Sequence, residues 1–139
     1  MSASRKKGTA WESSITAYLS GAGFPGVERR ALTGSQDKGD VAGLPLVIEA
    51  KNCKTTTLAA WVDEASAEAK HAGVAVGVVW HHRRGKSSPG DGFVTMSGED
   101  FVTLLVGAVP LLAALAKSDE PAALVAALDK VRGQLGGGA

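Results

Sequence analysis

The stretch Lys38-Gly39-Asp40-Val41-Ala42-Gly43-Leu44-Pro45-Leu46-Val47-Ile48-Glu49-Ala50-Lys51-Asn52 carries the most structural information in this chain. It reads as two strands around a Gly/Pro turn. On a strand, residues two apart share a face, so Val47, Glu49 and Lys51 point one way and Leu46, Ile48 and Ala50 the other. With an even number of residues in the connection, Asp40 falls on the Glu49 face, because directly opposed residues share a side. Two carboxylates and one ammonium would then gather at one end of a hairpin.

Upstream, residues 1–8 read as a flexible basic arm with Arg5, Lys6 and Lys7. A helix is expected from Thr9 to about Ser20, with Trp11, Ile15, Tyr18 and Leu19 on one stripe and Gly21 past its end. Glu12 lies against that stripe rather than opposite it. Thr9-Ala10-Trp11-Glu12 also fits a capping box, with Glu12 bonding back to the Thr9 N–H. Capping and chemistry explain Glu12 equally well at this level. Val27–Leu32 reads as a first strand carrying Arg29 and Arg30, and Thr33–Gly39 as a polar loop.

Downstream, Lys54-Thr55-Thr56-Thr57 leads into a helix over roughly Leu58–His71. Its inward face is expected to be Leu58, Trp61, Val62, Ala65, Ala69 and Ala72, and Asp63, Glu64 and Glu68 a solvated face. Val74–Trp80, a valine-rich apolar run, suits a strand covered on both sides. Strand, helix and buried strand imply a right-handed crossover with parallel pairing. A basic loop with Arg83, Arg84 and Lys86 follows, then a short strand over Gly92–Met96. A helix begins at Ser97-Gly98-Glu99-Asp100, whose acids suit its positive end. Pro110 is expected to divide that region into two helices, and Pro121 to open a last one with Leu124, Val125, Leu128, Val131 and Leu135 on a stripe.

The 139 residues suffice for one domain with its own core. The expected fold is α/β, a small mixed sheet flanked by helices. The domain spans 9–135, with a core over about 9–96, C-terminal helices over about 98–135 and a disordered tail at 136–139. Net charge is near balance, yet residues 1–54 hold eight Lys/Arg against five Asp/Glu, and residues 87–139 hold three against six. The basic N-terminal half suits a polyanion, nucleic acid above all. A single Cys53 excludes an internal disulfide and is compatible with a reducing cytoplasm. The first ten residues are polar with no apolar region after them, so no signal peptide is expected. The longest uncharged apolar run, Phe101–Ala116, is shorter than the ~20 residues a spanning helix needs. It reads as core, so no membrane partner is expected.

An Asp followed by Glu-x-Lys on the next strand suits metal-dependent phosphodiester hydrolysis. Mg²⁺ takes hard oxygen ligands, usually one or two carboxylates with waters and phosphate oxygens. Asp40, Glu49 and the backbone carbonyl of Ala50 can supply them, and Lys51 could orient the attacking water or contact the phosphate. A lone Glu-x-Lys is more often a solvated face. What raises its weight is Asp40 at hairpin spacing, the order of elements and the basic arm. Arg5, Lys7, Arg29, Arg30, Lys38, Lys54, Arg83, Arg84 and Lys86 are candidate phosphate contacts, more convincing as a set than singly. His81 and His82 are adjacent on a strand and point to opposite faces, which disfavours a shared metal. Cys53 has no apparent His or Asn partner for nucleophilic catalysis, and assistance to the metal from the loop and turn chemistry explain Asp37 equally well.

Gly39-Asp40-Val41 followed by Ile48-Glu49-Ala50-Lys51-Asn52 resembles the PD-(D/E)XK nuclease motif. With Glu12 on a helix after Lys7-Gly8, the chain most resembles Holliday junction resolvases of the archaeal and phage-like type, over roughly Arg5–Trp80 in the order α-β-β-β-α-β. The resemblance implies a restriction-endonuclease-like core and an Mg²⁺-dependent endonuclease, Mn²⁺ substituting, with Glu12, Asp40, Glu49 and Lys51 as its site. It further implies a homodimer acting on branched DNA such as four-way junctions, in the cytoplasm (the host's, if phage-encoded). Gly39 stands where the motif has proline, and the Thr33–Asp37 loop is shorter than in archaeal relatives, which bears on Ser35 as a DNA contact. A nuclease with another DNA substrate, restriction- or repair-like, and a non-cleaving DNA-binding module are the alternatives.

Overall fold

The computed structural model describes residues 2–31 and 37–116 and, beyond them, residues 122, 125, 126, 129, 130 and 133. The elements follow in the order α1 (Ala3–Gly21), β1 (Glu28–Arg29), β2 (Val41–Ala42), β3 (Val47–Lys51), α2 (Leu58–Ala72), β4 (Gly77–His81), β5 (Phe93–Thr95) and α3 (Gly98–Ala116). A single 3-10 turn, Pro89–Asp91, separates β4 from β5. Through β4 this is the expected order of helix, three strands, helix and strand. Ser35 and the rest of 32–36, the final helix over 121–135 in most of its length and the tail 136–139 fall outside the described residues.

The strands form one mixed sheet in sequence order. β1 pairs β2 and β2 pairs β3 antiparallel, whereas β3 and β4 run parallel in the register Val47↔Gly77 to Lys51↔His81. β5 closes the far edge antiparallel to β4. Period-two alternation sorts the central strands into two faces. Val41, Ile48, Ala50, Val76, Val78 and Trp80 pack with Trp11 and Ile15 of α1. On the opposite face Val79 packs with Trp61 and Ala65 of α2. The Trp11 indole N–H donates to the Trp80 carbonyl at 3.0 Å, which fixes α1 against the end of β4.

α2 lies unusually close to β4. A Cβ added at Gly77 would stand 2.2 Å from the Ala65 carbonyl oxygen, so only glycine lets helix and strand meet there.

Four expectations change. Helix α1 begins at Ala3, capped by Ser2, whose Oγ accepts from the Arg5 N–H at 3.3 Å. The basic segment 3–8 is therefore helical rather than a flexible arm, and Glu12 lies mid-helix where no capping box can form. In α2 the expected core residue Leu58 is 39% exposed, at the helix's first turn. Helix α3 runs through Pro110 without dividing. Proline removes one N–H that would donate to the Val106 carbonyl, but Val106 is 73% exposed, so water can replace the lost bond. The first part of the Phe101–Ala116 run is not core either. Phe101, Val102, Leu105 and Val109 are exposed, and α3 meets the core through Leu104, because α1 already covers that face of the sheet. Among the described residues, no helix is long and apolar enough to cross a membrane.

Gly77→Ala is expected to destabilise the fold by about 1–3 kcal/mol through overpacking. Thermal unfolding checks this, and an unchanged Tm would contradict the close approach of α2 and β4.

Candidate metal centre

β2 and β3 meet at Val41↔Ile48. One residue earlier, the Asp40 N–H donates to the Ile48 carbonyl at 2.9 Å, and the Asp40 Oδ2 accepts from the Ala50 N–H at 2.7 Å. Asp40 thus bonds to the residues on both sides of Glu49, which brings the two carboxylates together as the hairpin reading required. On an extended strand a residue's N–H and C=O project to the same edge, so the Ala50 carbonyl faces the Asp40 side. Lys51, two residues on from Glu49, shares its face, and its Nζ donates to Glu49 Oε1 and to Glu64 Oε2, each at 2.6 Å.

Gly39 has φ +83°, a value outside the reach of proline, whose ring holds φ near −65°. The Gly39 N–H donates to Asp37 Oδ1 at 3.1 Å, the turn-chemistry reading of Asp37.

The face of β3 that carries Glu49 looks onto α2, and α2 contributes two further carboxylates. The candidate ligand oxygens of Glu49, Glu64 and Glu68 lie within 4.8 Å of one another. The expected solvated face therefore needs correcting at Glu68, which is only 3% exposed, while Asp63 and Glu64 are exposed. Helical spacing held the signal. Glu68 follows Trp61 by seven residues and Ala65 by three, the spacing of the buried stripe Trp61, Ala65, Glu68, Ala69. Both Glu68 carboxylate oxygens are buried with no N–H or O–H donor on them among the described residues, and Glu49 is the acid they interact with.

Burial, the Glu49 charge and the more distant Glu12 charge push the Asp40 pKa up to about 7, against the hydrogen bond from Ala50. Burial likewise pushes Glu49 up to about 7, in spite of its bond to Lys51 and aided by the charges of Glu68 and Glu64. Glu68 is raised to about 7 by burial first and then by the charges of Asp37, Glu64 and Asp40, with its interaction with Glu49 opposing. Burial disfavours the charge on Lys51, but its bonds to Glu49 and Glu64 outweigh that and raise its pKa. One ammonium serves a group of acids that outnumbers it.

Glu12 stands apart from this cluster. Its Oε2 accepts from Arg29 Nε at 2.7 Å, an ion pair that ties α1 to β1. Because Arg29 is half-exposed, the pair contributes roughly 0–1 kcal/mol.

The basic residues divide by position. Register pairs Lys51 with His81, and the His82 N–H donates to the Lys51 carbonyl at 2.9 Å, so Arg83, Arg84 and Lys86 leave the sheet at the Lys51 end. The Arg83 guanidinium lies 5.4 Å from the Phe93 ring centre. Arg5 and Lys7, on the exposed start of α1, precede Trp11, whose ring meets His82 at 4.8 Å. The Arg30 N–H donates to the Asp40 carbonyl at 2.8 Å, and its Nε is buried with no partner among the described residues. Lys38 and Lys54 are exposed within three residues of Asp40 and Lys51. His81 and His82 point to opposite faces as expected, against Trp61 and Trp11 respectively. Cys53 is free and exposed.

No protein-family model matches the chain, and no curated protein or solved structure matches it either.

The raised carboxyls make stability depend on pH. Ordinary values of 3.8 for Asp40 and 4.5 for Glu49 and Glu68 become about 7 in the fold, so between these limits the folded state holds more protons than the unfolded chain. Their contribution to stability is fully present below about pH 4 and is lost as pH rises through about 7. In metal-free buffer the Tm is expected to fall from pH 5 to pH 8, and the fall to be smaller in Glu68→Gln. Thermal unfolding across that range is the check.

Proposed function

We propose that this chain is a metal-dependent endonuclease with a restriction-endonuclease-like core, hydrolysing DNA phosphodiesters at branched structures such as four-way junctions. The observation that carries this reading is Asp40 bonded on both sides of Glu49, with Lys51 on the Glu49 carboxylate. The element order helix, three strands, helix, strand supports the same reading.

The donor set fits a hard divalent cation. Asp40 and Glu49 offer carboxylate oxygens, the Ala50 carbonyl faces the same edge, and a single ammonium leaves the acids short of positive charge. Mg²⁺ held there, or Mn²⁺ in its place, would acidify a bound water and offset charge growing on the phosphate.

The chain's own residues do the rest. Asp40 is held in place by the Ala50 N–H and cannot turn away without giving up that hydrogen bond. Lys51 is a donor at the end of β3, which would leave the exposed Glu64 for a phosphate oxygen or the attacking water. Arg83, Arg84 and Lys86 at the Lys51 end, with Arg5 and Lys7 on the adjacent end of α1, form a basic flank that would bind the DNA backbone. Glu12 acts through Arg29, and its charge adds to the field at Asp40. A homodimer would pair two such sites, and the apolar face of α3 with Phe101, Val102, Leu105, Val106 and Val109 is exposed area that a second copy could cover.

The test is incubation of pure protein with four-way junction and linear duplex DNA, with Mg²⁺ or with chelator. Junction cleavage that requires Mg²⁺ is expected. Asp40→Asn and Glu49→Gln should each lower it by at least 100-fold while DNA binding stays within a few-fold of wild type. No cutting of either DNA by wild-type protein would overturn the nuclease reading, and equal cutting of both would remove the junction preference.

A further inference from the structure

We propose a second divalent-cation site on the α2 face of the sheet, formed by Glu49, Glu64 and Glu68. It is a position apart from the Asp40–Glu49 pair, sharing one ligand with it, and it stands whether or not the chain cuts DNA. Two independent observations carry it. The first is convergence: one oxygen from each of the three carboxylates lies within 4.8 Å of the others. Cation–oxygen distances of ~2.1 Å for Mg²⁺ and ~2.4 Å for Ca²⁺ separate oxygens on opposite sides of the ion by roughly 4.2–4.8 Å. Three oxygens within that limit surround a cation after small side-chain adjustments, once the Lys51 ammonium moves off Glu49 and Glu64.

The second is Glu68 itself. It is 3% exposed, has an oxygen in the cluster, and neither of its oxygens has a hydrogen-bond donor among the described residues. A buried carboxylate without donors is costly unless a cation meets it. Lys51 does not meet it, since its Nζ bonds Glu49 and Glu64. Three carboxylates against one ammonium leave a formal charge of about −2 when all are ionised, the complement of a divalent ion. All-oxygen donors select the hard class, Mg²⁺, Mn²⁺ or Ca²⁺, over softer metals. Glu64, on the exposed side, gives the ion a route in from solvent.

Mn²⁺ titration of the full chain at pH 8, followed by loss of the free-ion EPR signal, tests the site. Wild type is expected to bind Mn²⁺ with Glu64 and Glu68 engaged, so that Glu64→Gln and Glu68→Gln each weaken binding at least tenfold or remove one ion per chain. Asp40→Asn should leave this ion in place. Glu68→Gln should also have a higher Tm than wild type without metal and lose the rise that Mn²⁺ produces. If Glu68→Gln does not fold, Glu64→Gln alone carries the test, because its side chain is 46% exposed. Wild-type Mn²⁺ affinity and stoichiometry in folded Glu64→Gln would overturn the inference, even if the protein cleaves DNA. Absence of cleavage with Mn²⁺ bound through Glu64 and Glu68 would overturn the nuclease reading and leave this site standing.

Discussion

Asp40 holds β2 to β3 with its backbone and its side chain together: its N–H reaches the Ile48 carbonyl and its Oδ2 takes the Ala50 N–H. β2 is only two residues long and shares a single residue pair with β3, so these bonds are a large part of what joins the antiparallel edge to the parallel centre. Losing the Asp40 carboxylate would free the Ala50 N–H and loosen the edge that carries β1. The same carboxylate is a candidate ligand, so the group that joins the edge also lies at the site.

Holding acids this way has a consequence for charge. The sheet is covered by α1 on one face and α2 on the other, and Glu49 sits within it only 7% exposed. Burial penalises its ionised form, and Asp40 and Glu68 share that environment. Lys51 relieves part of this cost through Glu49 and Glu64, and no donor among the described residues meets Glu68. A fold built only for stability would place apolar residues here, as it does at Val79 on the same face. Asp40, Glu49 and Glu68 are instead kept in this place with a single ammonium, Lys51, bonded to one of them.

α3 presents the opposite imbalance. Phe101, Val102, Leu105, Val106 and Val109 face solvent, and Leu104 packs against the core cluster that α1 covers. Asp100, 8% exposed, accepts the Gly77 N–H at 3.4 Å and so links the start of α3 to the start of β4.

Much of this arrangement was legible in the chain because it depends on local periodicity. The alternation in Val47–Lys51 put Glu49 and Lys51 on one face, the valine run marked β4 as buried on both sides, and the stripe of Trp11 and Ile15 showed which side of α1 turns inward. These follow from geometry repeated every two or 3.6 residues, which neighbours in sequence already contain. The capping alternative for Glu12 could not be dismissed from sequence, because a capping box looks the same whether or not the helix has already begun at Ser2. The fate of α3 depended on competition among helices for one sheet face, which no single segment encodes. The opening hairpin was thus readable to the level of shared faces, and the meeting of Asp40 with Glu49 awaited the β2–β3 junction. Glu68 was decided furthest from sequence. Its position on the Trp61 stripe was visible, but only the packing of α2 across β3 and β4, with Gly77 admitting the helix, turned a charged side chain into a buried neighbour of Glu49.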